Sequence, residues 1–186
     1  MVVKRLMLLF MAVLPVACLM AQNAPQEVTP EIARKINAEI DKGIIKLKEG
    51  EKNEKLSPEE LAFRIDTFKI EQFFRRDLDY NYTTSGMNSA TFDAADKYDS
   101  LLNKYYKLLL NKLVDGDKNT LKEAQRAWLA YREKEMKLVE LLGQEQYSGG
   151  GTMQILIYAG KYLAFIKARV NTLFDYYSTI IESTNH

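Results

Sequence analysis

Two short constellations hold the residues whose types and spacing could do chemistry. Gln125, Trp128 and Arg132 sit at i, i+3 and i+7, so on a helix they share one face. Asp99, Asn103 and Tyr106 sit at i, i+4 and i+7 and share a face of an earlier helix. An amide, a guanidinium, a carboxylate and an indole on facing stripes can pair across a helix seam. Asp99 or Asn103 is expected to meet Gln125 or Arg132 there. The favoured reading is a hydrogen-bond network that fixes helix register, with a ligand site as the alternative. A third stretch, Tyr147-Ser148-Gly149-Gly150-Gly151, could cradle an anion at a helix start. No Lys-Ser/Thr follows its glycines, so it is no nucleotide P-loop, and a sharp reversal needing positive φ is the simpler reading.

Other chemistry is removed by composition. The chain of 186 residues has one histidine, His186, and one cysteine, Cys18. Ser-His-Asp and Cys-His catalysis, His-ligated zinc and the Glu-x-x-His di-iron site therefore have no residues to build on. No catalytic residue, metal site or cofactor is expected. Paired carboxylates remain conceivable as acid and base, but most Asp and Glu fall on the solvent faces of amphipathic helices. Lys and Arg number 26 against 25 Asp and Glu, which leaves no basic footprint for nucleic acid.

These residues must be positioned by helices, because the apolar pattern is helical throughout. Residues 1–21 read as an export signal: Lys4 and Arg5, an apolar run from Leu6 to Leu19, then Ala21. Cleavage there leaves 24 basic against 25 acidic residues, or −1, and no cysteine. The alternative is a lipoprotein anchored at Cys18, the one route by which this chain would be tied to a membrane. Either way the chain is expected to leave the cytoplasm, with a periplasmic or secreted location favoured over the anchored alternative.

Thr29-Pro30 opens a first helix with Ile32, Ile36, Ile40, Ile44 and Leu47 on one stripe, ending near Gly50. Glu49 to Lys55 reads as a solvated connection. Ser57-Pro58-Glu59-Glu60 is a capping box that opens a second helix to about Asp79. Leu61, Ile65, Phe68 and Gln72 mark one side of it, and Phe63, Ile70, Phe73 and Phe74 mark others, so it is expected between two neighbours. The two form an N-terminal hairpin within residues 22–80.

Tyr80 to Ala90 reads as a loop around Gly86, containing an Asn81-Tyr82-Thr83 sequon best taken as ordinary loop sequence. A third helix is expected from Phe92 to Val114, with Phe92, Ala95, Leu102, Tyr106, Leu109 and Leu113 toward the core. Asp115-Gly116-Asp117 stops it and caps a fourth, which runs to Leu142 and carries an apolar stripe of Leu121, Ala124, Trp128 and Tyr131. The glycine run interrupts the chain before a last helix, Thr152 to Ser183. Its seam is Leu156, Gly160, Leu163, Ile166, Val170, Leu173, Tyr177 and Ile180, with Gly160 permitting a close crossing. The fold is all-α, a bundle of about five helices, and the Trp128 helix is expected to be the one on which the others dock.

The motif Leu121-x-x-Ala124-Gln125-Arg126-Ala127-Trp128-x-x-Tyr131-Arg132 resembles the signature of the LprI-like lysozyme-inhibitor domain, a family of exported bacterial helical domains. Asp99-x-x-Leu102-Asn103-x-x-Tyr106 is similar to a second family segment. Gly149-Gly150 and Arg169 fall where the family has a glycine-rich turn and an arginine. The resemblance covers residues 87–173 of a family domain placed at 87–183. Cysteines that the family carries near Ser89, Met136 and Lys161 are replaced here, so its disulfide bracing is missing. The resemblance implies a non-enzymatic protein whose partner is lysozyme or another envelope protein. An inhibitor must present a loop or acidic patch to lysozyme's basic, carboxylate-bearing cleft, and Tyr147, Gly149, Gly150 and Gly151 are the candidate contact. The alternative is a structural or ligand-binding envelope protein with no lysozyme activity.

Overall fold

The computed structural model describes residues 24–51 and 56–184; residues 1–21, expected to be an export signal and including Cys18, lie outside these residues. Six helices make up the described fold: α1 (Pro30–Glu51), α2 (Pro58–Tyr80), α3 (Thr84–Lys112), α4 (Lys118–Leu142), α5 (Glu145–Ser148) and α6 (Met153–Thr184). No strand occurs among the described residues, and the architecture is an all-α bundle.

The start of α2 follows directly from its sequence. Ser57 N–H donates to the Glu60 carboxylate at 2.7 Å, and Glu60 N–H donates to the Ser57 hydroxyl at 3.2 Å, closing the capping box. α2 is apolar on two sides because it separates two clusters. Ile65, Phe68 and Phe73 pack with Ile36, Ile40 and Ile44 of α1, while Phe63, Ile70 and Phe74 pack into the main core. The isoleucine stripe of α1 thus faces α2, as its spacing predicts.

The centre of the bundle is the pair α3 and α6, not α4. Ala90, Ala94 and Ala95 of α3 and Ala159 of α6 are buried to 2% exposure or less, so small side chains, rather than a tryptophan, mark the most enclosed helices. The two run parallel: Tyr98 is level with Lys167, and Tyr105 is level with Phe174. Further along, Phe63 stacks on Phe174 with centroids 3.9 Å apart, and Tyr105 meets both rings edge-on at 5.2 and 5.4 Å. Such ring contacts contribute roughly 0.5–1.5 kcal/mol each beyond their buried area. α4 lies antiparallel on the outside of α6, and only Leu121, Gln125 and Met136 of it are buried. Ala124 and Tyr131, expected in its apolar stripe, are exposed; Tyr131 instead rests against the Phe165 ring at 5.7 Å.

Several boundaries differ from the expectation. α3 begins at Thr84, eight residues before Phe92, because Thr83 caps it: its hydroxyl accepts from Gly86 N–H at 3.0 Å. Gly86 is not a loop residue but lies in the first turn, where a Cβ would come within 2.2 Å of the Asn81 side chain. The absence of a side chain lets the preceding Asn81 fold over that turn. The core face of α3 is Tyr98, Leu101, Leu102, Tyr105 and Leu109, and Phe92 is turned outward. Asp117 stands before α4 but makes no capping bond through its side chain. Gly160 is exposed with open space around it, so it permits no crossing; Ala159 takes that position. The sixth helix is the single turn α5, within the stretch expected to be irregular.

Candidate functional site: the tryptophan seam and the glycine turn

The seam between α4, α6 and α3 is built around Trp128, which is half-buried. Two guanidinium groups flank its ring, with Arg132 at 5.1 Å and Arg169 at 5.7 Å from the centroid. Each such contact contributes roughly 0.5–1 kcal/mol where partly exposed. The two like charges at one aromatic are met differently, Arg169 by a neutral amide and Arg132 by a carboxylate. Arg169 Nε donates to the buried Gln125 side-chain oxygen at 3.0 Å across α4 and α6. Burial holds the Arg169 pKa below its ordinary value.

Arg132 points the other way along the seam, toward Asp99 of α3. The ion-pair distance is 3.6 Å, too long for a hydrogen bond, and Arg132 Nη1 is buried with no hydrogen-bond acceptor. The Tyr162 ring holds the same guanidinium from the α6 side at 5.5 Å. Asn103 does not cross the seam. Its amide donates to the Asp99 carbonyl at 3.0 Å and carboxylate at 3.2 Å, within α3. Tyr106 is half-buried against the main core. The structure therefore brings Asp99, Gln125, Trp128, Arg132 and Arg169 together, with Asn103 orienting Asp99 from behind. Tyr162 completes the seam and has no signal in the sequence beyond its helical phase.

The second polar node was not legible from spacing. Glu71 of α2 accepts from the Tyr98 hydroxyl at 2.5 Å and pairs with Lys167 of α6 at 2.5 Å. Asp66 likewise meets Lys104 and Tyr105 of α3. Burial first, and then the Glu71 hydrogen bond, push the Tyr98 phenol well above its ordinary pKa; burial and Asp66 do the same for Tyr105. These contacts tie α2 to the α3–α6 pair. They join residues far apart in the chain, so no local motif announces them.

The glycine turn follows α5. Gly149, Gly150 and Gly151 have φ of 79°, 66° and 89°, all in the left-handed region. That explains why three glycines occur together: any L side chain there is disfavoured by roughly 1–2 kcal/mol. Gly149 N–H closes α5 onto the Glu145 carbonyl at 2.9 Å, and Gly150 N–H donates to the Ser148 hydroxyl at 3.2 Å. With those donors engaged inside the turn, it is a chain reversal first. It presents Tyr147 to solvent at 60% exposure, and Met153 and Leu142 on either side are also about half exposed.

Among the described residues no cluster of His, Cys, Asp or Glu could hold a metal ion, and no helix is long and apolar enough to cross a membrane. The positions matching family cysteines carry an exposed Ser89, a buried Met136 and an exposed Lys161. Comparisons with characterised proteins and with solved structures gave no match. The sequence profile of the family described as lysozyme inhibitor LprI matches residues 77–173, from the last turn of α2 through the seam and the glycine turn into α6. On that match the chain belongs to the LprI lysozyme-inhibitor family.

Proposed function

We propose that this chain is an exported, non-enzymatic lysozyme inhibitor that meets its partner with the end of the molecule formed by α5 and the glycine turn. The observation that carries the reading is the family match, which spans that turn together with the seam beneath it. Tyr147 supports the placement, because an exposed aromatic on a rigid reversal can anchor an interface with little loss of side-chain freedom. The Trp128 seam then has a supporting role: it fixes α4 against α6, and so fixes the turn that joins them. Residues 1–21 act as the export signal in this reading, which places the protein in the periplasm or outside the cell.

Near-neutral charge favours a second reading. With 26 basic and 25 acidic residues the chain has little long-range pull on a basic enzyme, as suits an envelope protein that binds another partner and leaves lysozyme alone. A turbidity assay separates the two. Purified protein in molar excess is expected to slow lysozyme-driven lysis, and Tyr147→Ser is expected to weaken that effect. Undiminished lysis at excess protein refutes inhibition.

A further inference from the structure

Arg132 is held more tightly than it is satisfied. Trp128 and Tyr162 clamp its guanidinium between two rings, yet its one ionic neighbour, Asp99, stands 3.6 Å away and no hydrogen bond forms. The side chain is 20% exposed, and it opens into a cleft of about 510 Å³ between α4 and α6 that is also lined by Met136, Tyr158 and Tyr162. A guanidinium has five donors in a rigid fork that matches a carboxylate. A fork pre-oriented by aromatic faces, with its buried Nη1 lacking an acceptor and only loosely paired with Asp99, can receive a further anion.

The surroundings narrow the anion. A second cleft of about 350 Å³ continues along the same two helices, sharing Glu140 and Tyr158 with the first, lined by Val139 and Ile155 and reaching Gly143, Gln144 and Gln154. Its exposed lining is mostly apolar in character, with Val139, Ile155 and the Tyr158 ring. From Arg132 to Glu140 the helix rises about 12 Å, the length of three to four extended residues at ~3.3 Å each. Glu133 and Lys137 pair at 2.8 Å, so the groove's remaining charges are Glu140 and Arg132, whose ionic neighbour Asp99, 3.6 Å away on α3, is not part of the groove lining. Glu140 repels a second carboxylate where the clefts join, so an acidic run does not fit. One negative group at the Arg132 end, with apolar side chains leading away from it, is the chemistry of a peptide C-terminus.

We propose that the α4–α6 groove captures the free C-terminal carboxylate of a peptide chain whose last residues are apolar, with Arg132 binding the carboxylate and Tyr158 and Ile155 receiving the side chains. The groove lining contains no residue of the glycine turn, although it reaches Gly143 and Gln144 beside α5, and the proposal stands whether or not lysozyme is inhibited.

The test titrates the full protein with an N-acetylated tripeptide of alanine and leucine, as the free acid and as the C-terminal amide. Calorimetry is the primary readout, and emission of Trp128, the only tryptophan, is the second. The free acid is expected to bind saturably and at least tenfold more tightly than the amide. Arg132→Gln is expected to erase that preference. Tyr158→Ala is expected to weaken both forms equally without moving the melting temperature, so the groove stays testable if the arginine variant fails to fold. Equal binding of acid and amide overturns the proposal, as does no saturable heat for the acid at millimolar concentration. An amidated peptide with one internal aspartate that matches the free acid overturns the assignment to a chain terminus.

Discussion

At the scale of single residues, the seam is held more by cation–aromatic contact than by ion pairing. Asp99 is 44% exposed on its side chain and sits 3.6 Å from Arg132, so its pairing is screened and weak. The guanidinium, by contrast, touches two rings. Arg132→Met is therefore expected to destabilise the fold by about 1–2 kcal/mol, mostly from lost stacking. Asp99→Asn is expected to change stability by less than about 0.5 kcal/mol. Thermal melts of the two variants check this, and equal losses would show the ion pair to be the main term. The face shared by Gln125, Trp128 and Arg132 was legible because helical period alone fixes it. Which partner each would take was not, since Asp99 and Asn103 on one helix, and Gln125 and Arg132 on the other, had equivalent claims until the helices were placed. Arg169, known only through the family resemblance, proves to be the residue that Gln125 serves.

At the scale of elements, the hairpin α1–α2 is a layer added to the α3–α6 pair, and its two helices are held differently. α2 is locked by Phe63, by Glu71 to Tyr98 and Lys167, and by Asp66 to Lys104. α1 rests on α2 through a separate three-isoleucine cluster. Local opening follows contact density, so amides of α1 are expected to exchange hydrogen faster than those of α3 and α6; matching protection across all three would contradict this layering. Where α2 meets α3, burial first and then the charge of Asp93 hold the Asp77 carboxyl above the ordinary carboxylate range, with Lys97 opposing. A raised folded pKa means the penalty is absent below the unfolded pKa and fully present above the folded one. Asp77→Asn is thus expected to raise the melting temperature near neutral pH, by less than about 1 kcal/mol of stability after solvent screening. The gain should vanish below about pH 3. A gain that persists in acid would point to packing instead. The α1 stripe and the α2 capping box were plain in the sequence because both are local patterns. The early start of α3 was hidden by Gly86, a residue that ordinarily marks a loop and here makes room for Asn81.

At the scale of the whole molecule, the fold class was legible from periodicity, but the centre was not. Trp128 drew the expectation toward α4, whereas enclosure belongs to α3 and α6, whose large core residues pack closely alongside buried alanines too small to stand out in a sequence. Tryptophan is large enough to be half-buried at an edge and still dominate its surroundings. The described residues contain no cysteine, so the family's fold is held here by buried aromatic and aliphatic packing and by the polar ties around Glu71 and Trp128. The molecule that results is a helical bundle with a glycine turn at one end, the end proposed to meet lysozyme. Calorimetric titration of lysozyme into the purified protein tests this most directly. Saturable one-to-one binding is expected, weakened at least tenfold by Tyr147→Ser with the melting temperature unchanged. Absence of binding, or binding indifferent to Tyr147, would contradict it.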